Sequence, residues 1–296
     1  MARDKSVTWK KVDPDTVDLK SCKAAIVGGT GGLGRALARY LVSRGAVVTV
    51  VGQTFRDADI KGLSFIKADL GLVSEAKRIA SELPAEELDL VVFTTGIIAA
   101  PARQVTSEGI EKDMAVSYLS RYVILRGIAD RLGKGRLSDT ALARPRVFIT
   151  GYPGANNLGD PEDLNADKKP YKAFGAHMNT VAANEALTLD SAQRYPGLNI
   201  FGLNPGLVKT NIRDNFLGQN SWKSSIVEFF VGWLCQSPEA YARNIGPLLV
   251  TPELESKSGA IFDNKGNAIL ASQGFTKELT GKFMQSTEKL LEEHGN

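Results

Sequence analysis

Directly after the apolar run Ala24-Ala25-Ile26 the chain reads Val27-Gly28-Gly29-Thr30-Gly31-Gly32-Leu33-Gly34. A glycine-rich turn between a strand and a helix is suited to holding a phosphate. Backbone N–H groups and the positive end of a helix face the anion, and no side chain stands in the way. In this spacing Gly28 allows the tight turn, Gly32 lets the backbone approach a pyrophosphate, and Gly34 lets the helix pack closely on the strand. Thr30 and Leu33 complete the expected cradle of a dinucleotide. The next strand ends Val50-Val51-Gly52-Gln53-Thr54-Phe55-Arg56, with no acid before Asp57. NAD-preferring sites usually place an acid here to hold the ribose hydroxyls. Gln53 and Arg56 would instead tolerate or contact a 2′-phosphate, so NADP(H) is favoured over NAD(H). Asp69 and Leu70 follow Phe65-Ile66-Lys67-Ala68, where an acid commonly meets the adenine ring.

These residues need a scaffold, and the periodicity supplies one. Apolar runs of β-branched character predict strands over Ala24–Val27, Ala46–Val51, Leu63–Lys67, Leu88–Thr94, Arg146–Thr150 and Asn199–Leu203, with a short one near Ile261. Helical spacing predicts helices over Gly32–Arg44, Val73–Leu83, Glu111–Leu132, Gly175–Tyr195 and Glu239–Leu249. The alternation implies an α/β fold, a Rossmann-type doubly wound parallel sheet in a single domain. Residues 1–20 read as an N-terminal arm, 21–285 as the dinucleotide-binding domain and 286–296 as a tail. The segment 211–237 breaks the rhythm and carries Phe216, Leu217, Trp222, Phe229, Phe230 and Trp233, a composition suited to covering a bulky apolar ligand.

Composition bounds the alternatives. A chain of 296 residues, 43% hydrophobic and 23% charged, can bury a sizeable core. A net charge of +3 without a dense basic run argues against a nucleic-acid partner. Two cysteines and two histidines support neither a disulfide framework nor a metal site, and a reducing, cytoplasmic setting is the expectation. The charged N-terminus has no apolar core of a signal peptide, and no apolar stretch is long enough to span a bilayer.

At this point the chain resembles the short-chain dehydrogenase/reductase family over roughly residues 22–285. The turn fits its TGxxxGxG with Val27 for threonine, and Asp69 is its acid after the third strand. Asn204-Pro205-Gly206-Leu207-Val208-Lys209-Thr210 matches its PGxVxT. The resemblance implies that Pro205, Gly206, Val208 and Thr210 pack on the nicotinamide end. Met114-Ala115-Val116-Ser117-Tyr118-Leu119, Asp163-Leu164-Asn165 and Ser258-Gly259-Ala260-Ile261-Phe262 look most like the retinol-dehydrogenase-like branch, whose members often act on lipophilic alcohols and carbonyls. A homodimer through the two long helices is also what the resemblance implies.

The family's catalytic residues are replaced. Counting back from Pro205 puts its tyrosine at Gly175 and its lysine at Asn179; its serine falls at Gly151 and its helix asparagine at Ser117. Its NNAG reads Phe93-Thr94-Thr95-Gly96, leaving Thr95 and Gly96 as cofactor contacts. Asn179 could still bond a ribose hydroxyl, and Ser117 could keep part of the asparagine's bonding. Tyr171 lies four residues before Gly175 and would share its face if the helix begins at Pro170. Tyr152, next to the serine position, is a weaker candidate. His177 points about 200° round the helix from Gly175 and reads as a surface or subunit-contact residue. Three functions stay open. The first is an atypical NADP(H)-dependent oxidoreductase on a small but bulky apolar carbonyl, enone or imine. The second is an isomerase, cyclase or lyase without net redox, and the third a non-catalytic dinucleotide-binding interaction protein.

Overall fold

The computed structural model describes residues 1–98, 100–136, 142–206 and 236–294. Strand β1 is Lys23–Val27, β2 Val47–Gly52, β3 Leu63–Lys67, β4 Leu90–Phe93, β5 Arg146–Thr150, β6 Asn199–Leu203, β7 Ile261–Phe262 and β8 Ala268–Ile269. They form one sheet in the order β3-β2-β1-β4-β5-β6-β7-β8. All pairs are parallel except the last, β7 with β8. The central strands are buried on both faces, which is why Ala24–Val27, Leu90–Phe93 and Asn199–Leu203 read as unbroken apolar or small runs.

Helices cover both faces. On one lie α1 (Gly32–Ser43) and α5 (Pro238–Val250), with Leu37, Leu41, Ile245 and Leu249 buried against Ile26, Val48, Phe148 and Phe201. On the other lie α2 (Val73–Glu82), α3 (residues 112–128), α4 (Ala173–Arg194) and α6 (Lys277–His294). Their apolar sides close over Val91, Phe93, Val147 and Ile149. No described helix is long and apolar enough to cross a membrane.

Three departures from the expected elements bear on the site. The helix expected over 111–132 is not uniform. Helix α3 consists of Lys112–Met114, a π-turn over Ala115–Leu119 and Ser120–Ile128. A π-turn inserts one residue into the helical ladder and often marks a functional position; this one contains Ser117. Second, α4 begins at Ala173, with Lys172 as its cap, so Tyr171 lies outside the helix rather than on a face shared with Gly175. Third, α6 runs through the boundary expected at 285, and its buried Phe283, Met284 and Leu290 join the core. The N-terminal arm is tied to the sheet edge. Arg3 bridges Ile269, and Trp9 Nε1 donates to the Gly266 carbonyl at 2.6 Å.

Candidate cofactor and active site

Where β1 and β4 part and the strand order reverses, a cavity of about 990 Å³ opens at the carboxyl ends of the strands. That is the ligand position of open α/β sheets. Its floor is the glycine-rich turn. Gly28 has φ +93°, and a Cβ there would lie 2.4 Å from the Thr95 backbone nitrogen. A Cβ on Gly34 would strike Thr94 Oγ1 and the Gly28 carbonyl, so only glycine lets α1 start this close to β4. Gly31 is the N-cap of α1, and no side chain caps the first turn. Gly31, Gly32 and Leu33 line the cavity, and an added Cβ on Gly31 would meet open space. A helix N-terminus without a capping side chain, aimed into a cavity of this volume, fits a pyrophosphate.

One end of the cavity carries Gln53, Asp69 and Leu70. Gln53 Nε2 donates to Asp69 Oδ1 at 3.1 Å, and the Gly71 N–H donates to the same oxygen at 3.0 Å. Arg56 Nη1 donates to the Thr30 carbonyl at 3.0 Å, beside the turn. The first acid after β2, Asp57, is buried in a two-point ion pair with Arg35 at 2.6 and 2.7 Å. The guanidinium beside it holds its carboxyl below the usual range, and Asp57 is not among the residues lining the cavity.

The other end is walled by Thr94, Thr95, Gly96, Ile97 and Val116. Behind Ile97 stands Ser117. Its Oγ accepts from the Ile97 N–H at 3.0 Å, lies 3.3 Å from the Ile97 carbonyl, and is 2.5 Å from Asp113 Oδ1. Asp113, wholly buried, holds His177 Nδ1 at 2.8 Å on its other oxygen. A hydrogen-bonded chain thus runs Ser117–Asp113–His177, from behind the wall residue Ile97 to an imidazole that is 23% exposed. His177 keeps part of its ring at the surface and is held on Asp113 by this contact. Helix α4 turns the face carrying His177, Thr180 and Asn184 toward α3, and Asn184 Nδ2 donates to the Ser117 carbonyl at 2.8 Å.

The same phase removes Asn179 from the site. Its amide nitrogen donates to the carbonyls of Asp160 and Asp163 at 3.0 and 3.1 Å, and its oxygen accepts from the Asp160 N–H at 2.8 Å. Gly175 is exposed, and a Cβ there would meet only Lys172 Cβ within 4 Å. Tyr171 donates its hydroxyl to Glu111 Oε1 at 3.0 Å and does not line the cavity. Burial, and then the charge of Glu111, push that hydroxyl well above its ordinary value. Glu111 is itself pushed up, by burial first. Pro205 and Gly206 stand past β6, outside the described lining, with the Gly206 N–H on Asn204 Oδ1 at 3.0 Å. Val208, Thr210 and the expected lid, except its last two residues, lie outside the described residues. The spacing from Pro205 alone does not fix the phase of α4. The signal that could have done so was the pairing of Asp113 and Ser117 with a histidine on the facing helix.

Comparison with known proteins settles the lineage. Residues 23–137 match the family model described as short chain dehydrogenase. The "uncharacterized oxidoreductase YKL107W" of Saccharomyces cerevisiae is 54% identical over 293 residues, 98% of this chain and 94% of that protein. The chain belongs to the short-chain dehydrogenase family. Retinol dehydrogenase 13 of Mus musculus is 22% identical over 94% of this chain and 86% of its own length. A crystal structure of an uncharacterized protein from Mycobacterium paratuberculosis superposes with a TM-score of 0.70 at 17% identity, covering 95% and 97% of the two chains. A short chain dehydrogenase from Salmonella enterica serovar Typhi gives 0.59 at 18% identity, covering 87% and 100%. These likenesses to solved structures show the shared fold. Members of the family bind nicotinamide dinucleotides, which the cavity and its uncapped helix fit. None of this chain's seven tyrosines is followed by a lysine four residues on.

Proposed function

We propose that this chain is an NADP(H)-dependent oxidoreductase of a bulky apolar carbonyl, enone or imine, in which Ser117 replaces the family's tyrosine as proton donor. The observation that carries the reading is the chain Ser117–Asp113–His177 set against the wall of a dinucleotide-sized cavity. The bound nicotinamide supplies the hydride. The protein's part is to place the substrate and move one proton. Ser117 Oγ accepts from the Ile97 N–H, so its own proton is free for the Ile97 carbonyl, for Asp113, or for a substrate oxygen taking the carbonyl's place. The serine proton passes to the substrate oxygen, and Oγ is re-protonated from solvent along the hydrogen-bonded chain through Asp113 and His177. Histidine suits the end of such a chain because its two ring nitrogens can take up and release a proton in turn.

NADP(H) is supported by the absence of an acid on the cavity side of β2 and by Gln53 and Arg56 beside the turn. An apolar substrate is supported by the composition of 211–237, and by a relative named for retinol, an apolar alcohol. Fold alone fixes neither. The test is to follow NADPH at 340 nm with a panel of apolar aldehydes, enones and cyclic imines and to identify the products. A product gaining two hydrogens, with one NADPH oxidised for each, is expected. Product without net NADPH consumption, or no turnover across the panel by a chain that binds NADPH, would overturn the reading.

A further inference from the structure

Arg121 is the anomaly of this site. It is 4% exposed and lies at the carboxyl ends of β4 and β5. Its Nη1 donates to the Thr150 carbonyl and, at 2.9 Å, to Asn184 Oδ1; its Nη2 donates to the Thr95 carbonyl. Its Nε has no partner, and neither do the neighbouring hydroxyls of Thr95 and Thr150. Every acceptor it has is neutral. Among the described residues no carboxylate hydrogen-bonds it, and the charge it feels most, Asp113, is committed to Ser117 and His177.

A buried cation without a counter-ion is costly, and a partner carboxylate would normally be present if the charge served packing alone. Burial draws the guanidinium down only to about 9, so it stays charged at neutral pH. What it stands beneath is Thr95, part of the cavity wall at the end away from Gln53 and Asp69. If the adenine half takes the Gln53–Asp69 end, the nicotinamide half faces this one. The ring of a nicotinamide cofactor differs between its states by one charge: neutral when reduced, cationic when oxidised.

We propose that Arg121 is a specificity-determining cation that makes the site bind the reduced, uncharged nicotinamide in preference to the oxidised, cationic one. The inference rests on the dinucleotide reading given above. The site then loads with reduced cofactor and releases the oxidised form readily. Two unit charges about 10 Å apart, at the effective dielectric of about 20 that suits protein sites, discriminate on the order of tenfold.

The test is a binding ratio, read without any substrate. The full chain is titrated separately with NADPH and NADP⁺, by calorimetry, at one pH and ionic strength. The wild type is expected to bind NADPH on the order of tenfold tighter. Arg121→Gln removes the charge, and Asn184→Asp neutralises it in place by setting a carboxylate where the amide oxygen now sits. Both are expected to bring the ratio to within about twofold of unity, while Arg121→Lys keeps it near wild type. A ratio cancels any uniform loss of affinity. Should Arg121→Gln fail to fold, Asn184→Asp, which retains the arginine, decides alone. A preference that survives neutralisation, or wild-type affinities that are equal, overturns the proposal. A folded chain that binds neither nucleotide overturns the dinucleotide reading beneath it, a distinct result.

Discussion

The β1–α1–β2 corner and the α3–α4 seam face each other across one cavity, and they are built from different materials. The corner is almost all backbone: a left-handed Gly28, an uncapped helix start and glycines where any Cβ would collide. The seam is joined mostly by side chains: Asp113, Ser117 and Arg121 on α3 meet His177 and Asn184 on α4. A backbone site admits few sequences, because a Cβ at the wrong place meets main-chain atoms that cannot move. A side-chain site can exchange every member while the helices stay put. That difference would let a glycine-built corner stand in a chain where no tyrosine is followed by a lysine four residues on.

Substitution within the corner tests the first half of the contrast and carries the largest expected effect. Gly28→Val combines φ +93° with a clash against the Thr95 backbone. It should cost about 2 kcal/mol or more in stability and abolish measurable NADPH binding. Gly31→Val is the partner experiment, since its side chain would enter open cavity space. It should leave the melting temperature nearly unchanged and still weaken NADPH by roughly a hundredfold, by filling the space a phosphate needs. Equal losses of stability in the two variants would mean the corner is a rigid turn and not a cradle.

The seam predicts a loss of turnover without a loss of affinity. Once a reducible substrate is in hand, Ser117→Ala should lower kcat on the order of a hundredfold, the usual reach of one acid–base group. NADPH binding should change little. His177→Gln should do less alone, and nothing further on top of Ser117→Ala, because groups acting through one another are not additive. Additive losses in the double variant would show that His177 does not act through Ser117.

The same contrast accounts for what the sequence could and could not tell. Strand–turn–helix patterning placed the turn and seven of the eight strands to within a residue or two, missing only the two-residue antiparallel β8, since apolar runs and glycines report burial and backbone conformation directly. It could not give the rotation of α4. A two-residue error in phase separates His177, on Asp113, from Asn179, on the Asp160–Asp163 loop. Nor could it see the π-turn over Ala115–Leu119, or an arginine at 121 pointing inward, because each depends on what the neighbouring helix and strands present. The helix Lys277–His294 was legible in hindsight from its buried Phe283, Met284, Thr287 and Leu290.

Cofactor choice returns to the corner at smaller amplitude. Arg56 is exposed and its guanidinium rests on the Thr30 carbonyl, so a 2′-phosphate would gain a charge-assisted contact of modest strength. Arg56→Ala should weaken NADPH by about fivefold and leave NADH within about twofold, in line with one partly solvated ion pair. Gln53→Asp should move the preference further toward NADH by offering the ribose hydroxyls an acceptor. Unchanged NADPH affinity in Arg56→Ala would place the 2′-position elsewhere.

The smallest effect belongs to the residue that spacing favoured. Tyr171 lies before α4, and its hydroxyl is spent on Glu111. An acid working near neutrality needs its pKa lowered toward the working pH, which a nearby cation does and a carboxylate opposes. Burial and Glu111 drive Tyr171 the other way. Removing the hydroxyl leaves Glu111 with the Met114 N–H as its remaining strong partner. The cost of Tyr171→Phe should therefore fall on stability, at about 1 kcal/mol. The reductase kcat should stay within about threefold of wild type, because the proton path through Ser117 is untouched. A hundredfold loss of kcat with unchanged melting would move the acid from α3 to Tyr171, and would take the chemistry out of the α3–α4 seam.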